Sequence, residues 1–190
     1  MNWILALSLA FSGFVITAIG MIPLMRLLKK RSILDQPNER SSHTIAIPKG
    51  GGLCLIPVIL AMWILDSLIQ SVSLTQTLLI AGVGLTLCLI SWIDDLKHLS
   101  PSLRLFTHIV GATIVFAIPT ANALIDPNLI SISIYNIIMI VVWVWFINVF
   151  NFMDGIDGIA GIECMSICFG VFAVLYFTDN ISIEADFALI

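Results

Sequence analysis

Charge is scarce in this chain. Of its 190 residues only 11% are Asp, Glu, Lys or Arg, 59% are hydrophobic, and the mean hydropathy is +1.09. A soluble domain carries about 25% charged residues, so a water-solvated globule is excluded and a bilayer is the natural solvent. No polar linker or low-complexity stretch sets off a separate soluble domain, and no convincing internal repeat is present. Histidine is limited to three residues, and none of the four cysteines (Cys54, Cys88, Cys164, Cys168) stands near one at zinc-ligand spacing. All four lie in apolar runs and read as small packing residues.

What is present is a series of apolar runs. Six have the roughly 17–25 residues a helix needs to cross a hydrocarbon core: Trp3–Met25, Gly51–Ile69, Thr75–Ile93, Leu105–Ala123, Ile134–Phe150 and Ile159–Phe177, with a seventh beginning near Ala185. The first is read as a span because its charges, Arg26, Lys29, Lys30 and Arg31, follow the apolar stretch, the reverse of a signal peptide. The fold class expected is all-α, a polytopic helical bundle forming one transmembrane domain over residues 1–190.

Basic residues are confined to two of the connections. Arg26, Lys29, Lys30, Arg31, Arg40 and Lys49 fall between the first and second spans, and Lys97 and Arg104 between the third and fourth, so all eight share one face. By the positive-inside rule that face is cytoplasmic and the N-terminus lies outside. The net charge of −4 and pI near 5.1 average over two unlike faces, and no nucleic-acid footprint follows from them. The connections expected on the other face, near Asp66–Leu74, Asn122–Ser133 and Thr178–Glu184, have no Lys or Arg and only scattered acids.

Every polar constellation with possible chemistry falls on the basic face, in loops at about 29–50, 94–104 and 151–158. Asp94 and Asp95 follow directly on an apolar span. Two adjacent carboxylates repel unless a cation or solvent relieves them, and such a pair suits Mg²⁺ bound through a pyrophosphate; a solvated helix end is the plain alternative. The cluster N-x-x-N-x-x-D-G-x-D-G, with Asn148, Asn151, Asp154, Gly155, Asp157 and Gly158, is the most specific signal. On a helix Asn148, Asn151 and Asp154 would share a face, and polar groups this costly at membrane depth are functional by default. A turn using Asp-Gly chemistry is the alternative.

In the first loop, Arg40, His43 and Lys49 suit phosphates, and Gly50–Gly52 would bring backbone N–H groups close to an anion. Juxtamembrane cations and a flexible lead into the next span would look the same. His98 reads as an interfacial histidine that could reach a phosphate, and His108, one turn inside the fourth span, as a satisfied buried one. The five tryptophans suit interfacial belts or lipid-facing packing.

The string D-Q-P-N-E-R-S-S-H-T with P-K-G-G-G, then I-D-D, then N-V-F-N-F-M-D-G-I-D-G-I-A-G, resembles the bacterial polyprenyl-phosphate N-acetylhexosamine-1-phosphate transferases. This is glycosyltransferase family 4, which includes the phospho-MurNAc-pentapeptide transferase; the likeness runs from about Asp35 to Glu163 and is strongest to the branch that starts O-antigen or related surface polysaccharides. The resemblance implies a multi-pass protein of the bacterial inner membrane that moves a sugar 1-phosphate from a UDP-N-acetylhexosamine to undecaprenyl phosphate, releasing UMP. It implies Mg²⁺, with Mn²⁺ as a substitute, and a possible homodimer among membrane lipids.

Carried over by motif, Asp94, Asp95, Asp154 and Asp157 would be catalytic, and Asn151, Asp154, Asp94 and Asp95 would hold the metal. Asn38, Arg40, His43, Lys49, Gly51 and Asn148 would contact substrate. Which carboxylate is the base stays open. Two departures stand out: Lys97 comes one position earlier than the lysine of the family's D-D-x-x-K pattern, and the G-D-x-G-S segment and histidine-rich loop found further along in the family are not in these 190 residues. The expectation is therefore a C-terminally truncated chain, six to seven spans of about ten, and an inactive fragment is one reading of it. Among other classes, an intramembrane aspartyl protease lacks its G-x-G-D signature here, and an ion-coupled transporter would place its ionisable groups mid-span rather than at span ends.

Overall fold

The computed structural model describes residues 3–37, 44–71, 73–118, 131–153 and 158–177. Within them the chain forms helices α1 (Trp3–Lys30), α2 (Gly52–Gln70), α3 (Leu74–Lys97), α4 (Pro101–Phe116), α5 (Ile132–Met153) and α6 (Ile159–Phe177), and a short ladder of β1 (Leu34–Asp35) with β2 (Ile47–Pro48). The architecture is the all-α polytopic membrane bundle expected from the apolar runs. Four helices, α1, α2, α3 and α5, are long and apolar enough to cross a bilayer, while α4 and the Ile159–Ala173 part of α6 are shorter apolar helices. The fourth expected span is helical only to Phe116 among the described residues, with Ala117 as its C-cap; the expected start of a seventh lies outside them.

Three helices run three or more residues past the ends expected from hydropathy, and all three do so on the face where the basic residues gather. α1 continues beyond Met25 to Lys30, α3 beyond Ile93 to Lys97, and α5 beyond Phe150 to Met153. Hydropathy marks where side chains leave the hydrocarbon, whereas the i→i−4 ladder continues as long as backbone partners and a suitable cap exist. Asp94, Asp95 and Asn151 are therefore helical residues standing above the apolar part of their helices, not loop residues.

The helix ends are set by local chemistry. At the end of α1, Ser32 takes the left-handed conformation (φ 54°), its N–H donates to Lys29 O at 3.1 Å, and Ile33 N–H donates to Leu28 O at 3.0 Å. That pair of bonds is a Schellman motif, with Leu28 buried beneath it. α4 starts on Ser100, whose Oγ accepts from Leu103 N–H, with Pro101 at the first helical position, where a missing N–H costs nothing.

Consecutive helices pack as antiparallel neighbours. Gly13 and Gly20 of α1 face Met62 and Cys54 of α2, so the sequence order reverses across the contact. In α4, Gly111 lies against Val83 and Leu87 of α3, where a Cβ would come within 3.2 Å and 3.3 Å of them; the missing side chain lets the two helices approach closely. Ala112, Phe116 and Val144 form a buried core between α4 and α5, with Trp143 edge-on to Phe116 at 6.2 Å between ring centroids. Trp143 is thus a packing residue, not part of an interfacial belt. Large apolar side chains such as Phe11, Phe14, Phe106, Trp145 and Phe169 are exposed, as they are when the surrounding solvent is lipid. Alternation of consecutive spans brings the end of α3, the start of α4 and the end of α5 to the same side of the bundle.

Candidate active site at the basic face

Asp94 is tied into the helix connection that follows it. Asp94 closes the three-residue connection from α3 to α4. Its Oδ1 accepts from Leu99 N–H at 2.7 Å, its Oδ2 from Arg104 Nη1 at 3.2 Å, and its carbonyl accepts from His98 N–H at 2.8 Å. His98 caps the helix in the left-handed region (φ 50°), so its position follows from the turn rather than from a phosphate contact. Asp95 is turned about 100° from Asp94 around the helix and shares a face with Trp92, three residues earlier.

The described flanks of the first loop pair with each other. β1 and β2 pair antiparallel with Leu34 opposite Pro48 and Asp35 opposite Ile47, and Lys49 N–H donates to Ile33 O at 3.2 Å. Lys49 Nζ stands 2.9 Å from Asp35 Oδ1, both side chains about 30% exposed. Gly50 follows at φ +101°, a conformation that disfavours any side chain, and a Cβ there would run into the six-membered ring of Trp92. Of the glycine run, Gly50 is required by this approach to α3. Gly51 sits at the head of α2 with ordinary helical angles, 3.8 Å from Met21 by its Cβ position. Asn38, Arg40 and His43 lie outside the described residues.

On α5, Asn148 Nδ2 donates to Val144 O at 2.7 Å, one turn back along its own helix. That bond leaves the amide oxygen and the second N–H to offer elsewhere. Asn151, one turn on, is exposed in the last turn of the helix. Asp154 and Asp157 lie outside the described residues. The spacing argument thus holds for Asn148 and Asn151, which the helix places on one face.

Two residues without an assigned part in the chemistry enter this site. Trp92, read as a belt residue, carries Gly50, and Arg104, counted only as a positive-inside charge, pairs with Asp94. The signal for Arg104 was its place ten residues after an aspartate across a Ser-Pro helix start; Trp92 had none, since its partner is remote in sequence. His108 also departs from expectation. Its Nδ1 is buried and has no hydrogen-bond partner among the described residues. All four cysteines are free; Cys54 and Cys88 match the packing reading, with Cys54 Sγ 3.8 Å from Thr17 O and Cys88 Sγ 3.7 Å from Gly52 O, whereas Cys164 and Cys168 are exposed on α6.

The donors match Mg²⁺ in kind, since carboxylates and amides offer the hard oxygens it takes. Among the described residues no three His, Cys, Asp or Glu side chains converge into a metal cage. Asp95 and Asn151 are described residues that carry such oxygens at this end of the bundle, and Asp154 and Asp157 lie outside the described set.

The family model for glycosyl transferase family 4 matches residues 77–190, which takes in most of α3 and all of α4 to α6 and leaves the first loop outside. No curated protein and no solved structure matches the chain.

Proposed function

Because the chain belongs to glycosyl transferase family 4, and because its polar groups gather at one end of an otherwise apolar bundle, we propose that it transfers an N-acetylated sugar 1-phosphate from a UDP-sugar to undecaprenyl phosphate. The product is a lipid diphosphate sugar, the by-product UMP, and the setting the first membrane step of O-antigen or related envelope polysaccharide synthesis, on the cytoplasmic side of a bacterial inner membrane. One observation carries the reading: Asp94 and Asp95 top a membrane-spanning helix inside the matched region, where a soluble phosphorylated donor and a lipid phosphate can both arrive.

In this reaction an oxygen of the lipid phosphate attacks the phosphorus that bears the sugar. The bond from that phosphorus to the bridging oxygen breaks, and UMP leaves with the oxygen. Mg²⁺ would offset the charge of the diphosphate and polarise the bond being broken. Positioning and electrostatics are the protein's share of such a transfer. Asp95 orients or deprotonates the attacking phosphate, Lys49 meets donor phosphate charge, and Asn151 with Asp154 and Asp157 holds the nucleotide end. Asp94 keeps its pairing to Arg104 and the α4 turn, which fixes the orientation of its neighbour.

The test is incorporation of label. Membranes containing the chain, with Mg²⁺, undecaprenyl phosphate and a UDP-N-acetylhexosamine labelled in the sugar, yield label in the lipid fraction together with UMP. Release of free sugar with no lipid-linked product would replace transfer with hydrolysis, and no Mg²⁺-dependent product of either kind would reject the reading.

A further inference from the structure

We infer that Trp92 is a positioning residue: by seating Gly50 on its ring it docks the end of the first loop onto the α3 face that carries Asp95, and so sets where Lys49 stands. Two segments 42 positions apart in sequence meet here, and each side of the contact is specialised for it. Gly50 has a left-handed φ of +101° and no room for a Cβ, because the Trp92 ring occupies that volume. Trp92 is half-buried although it lies near the end of a membrane-crossing helix, where an aromatic ring would otherwise face lipid headgroups.

The docking has a direct bearing on the chemistry. Lys49 is the residue before Gly50, and its backbone is fixed by the bond from its N–H to Ile33 O and by the β1–β2 ladder. Its ammonium is held by Asp35. The described part of the loop thus has one attachment at the end of α1, through Ile33, and one on α3, through the Gly50–Trp92 contact. Trp92 and Asp95 lie on the same face of α3, so the ring that holds the hairpin and the carboxylate move as one body. A phosphate-binding cation placed this way adds affinity for the donor, because its ordering cost is met before the ligand arrives.

The function of the contact rests on the transferase reading, while the contact itself can be tested without it. Hydrogen exchange on the full chain in lipid nanodiscs, resolved at the Lys49 amide, reports the hairpin directly. Trp92→Ala is expected to speed exchange of that amide about tenfold through local opening, Trp92→Phe to restore it to within about twofold, and mid-helix α3 amides to stay unchanged as a check on folding. Gly50→Ala attacks the same contact from the other side, so its effect in the Trp92→Ala background is expected to shrink rather than add. Unchanged exchange in Trp92→Ala, or full additivity in the double variant, overturns the docking.

Steady-state transfer supplies the functional arm. Trp92→Ala is expected to raise KM for the UDP-sugar about tenfold with kcat changed less than about threefold, and Trp92→Phe to recover it. A fall in kcat at constant KM overturns the positioning role even if the exchange result stands. A wild-type chain that exchanges as expected and transfers nothing contradicts the transferase reading alone.

Discussion

The two ends of α3 are joined to their neighbours by opposite kinds of chemistry. At the end near Leu74, Ser67 of α2 and Thr77 of α3 share a hydrogen bond of 2.6 Å with both residues buried, and no charged residue takes part. At the other end, Asp94 binds Arg104 and the Leu99 amide with side chains 21% and 38% exposed, beside Asp95 and the docked Lys49 hairpin. A hairpin between spans can be closed with two hydroxyls. Asp66 at the first end bonds only Gln70 of its own helix, whereas at the second a charged pair, costly to desolvate near a membrane, joins two helices, and that is the end equipped for ligands.

The comparison breaks most decisively at the acidic residues. Asp154→Asn is expected to bring transfer to background while the protein still resists alkaline extraction from membranes; unchanged activity would remove Asp154 from the site. Asp95→Asn is expected to do nearly as much. Asp94→Asn keeps an oxygen for Leu99 N–H and loses only the ion pair, so transfer should fall about tenfold, the cost of a loosened turn worth about 1–2 kcal/mol. If Asp94→Asn proves the more damaging of the adjacent pair, the division of labour between them is wrong.

At the opposite end the effect should be structural. Thr77→Val strands the Ser67 hydroxyl and is expected to cost about 1 kcal/mol of bundle stability, measured by denaturant titration in mixed micelles, with transfer per folded molecule unchanged. The smallest effect belongs to Asp35→Asn. An exposed ion pair contributes about 0–1 kcal/mol, so stability should barely move, and the loss of a competitor for the Lys49 ammonium should leave donor affinity equal or slightly higher. A large loss of stability would mean that the pair, rather than the Trp92 contact, holds the hairpin.

Much of this arrangement was legible from residue order. Apolar run length gave the spans, and the one-sided placement of eight cations marked the face where the candidate residues gather. Helix ends were not legible from hydropathy, because Lys29, Asp95 and Asn151 continue a helix after it has left the apolar layer. The ladder of Leu34–Asp35 with Ile47–Pro48 was missed because two-residue strands carry no periodicity. Contacts such as Trp92 on Gly50 depend on tertiary approach, and a tryptophan at a membrane boundary has an ordinary explanation that conceals it. Asp94 and Asp95 were read as equivalent since adjacent letters look alike, yet a helix turns them about 100° apart.

The central claim is that one face of the bundle does the chemistry. It is tested most directly by supplying a membrane-impermeant UDP-N-acetylhexosamine to sealed vesicles of known orientation. Lipid-linked label is expected in everted vesicles, whose outer surface is the cytoplasmic one proposed for the basic face, and none in right-side-out vesicles until they are made permeable. Labelling of intact right-side-out vesicles with everted ones silent would contradict it.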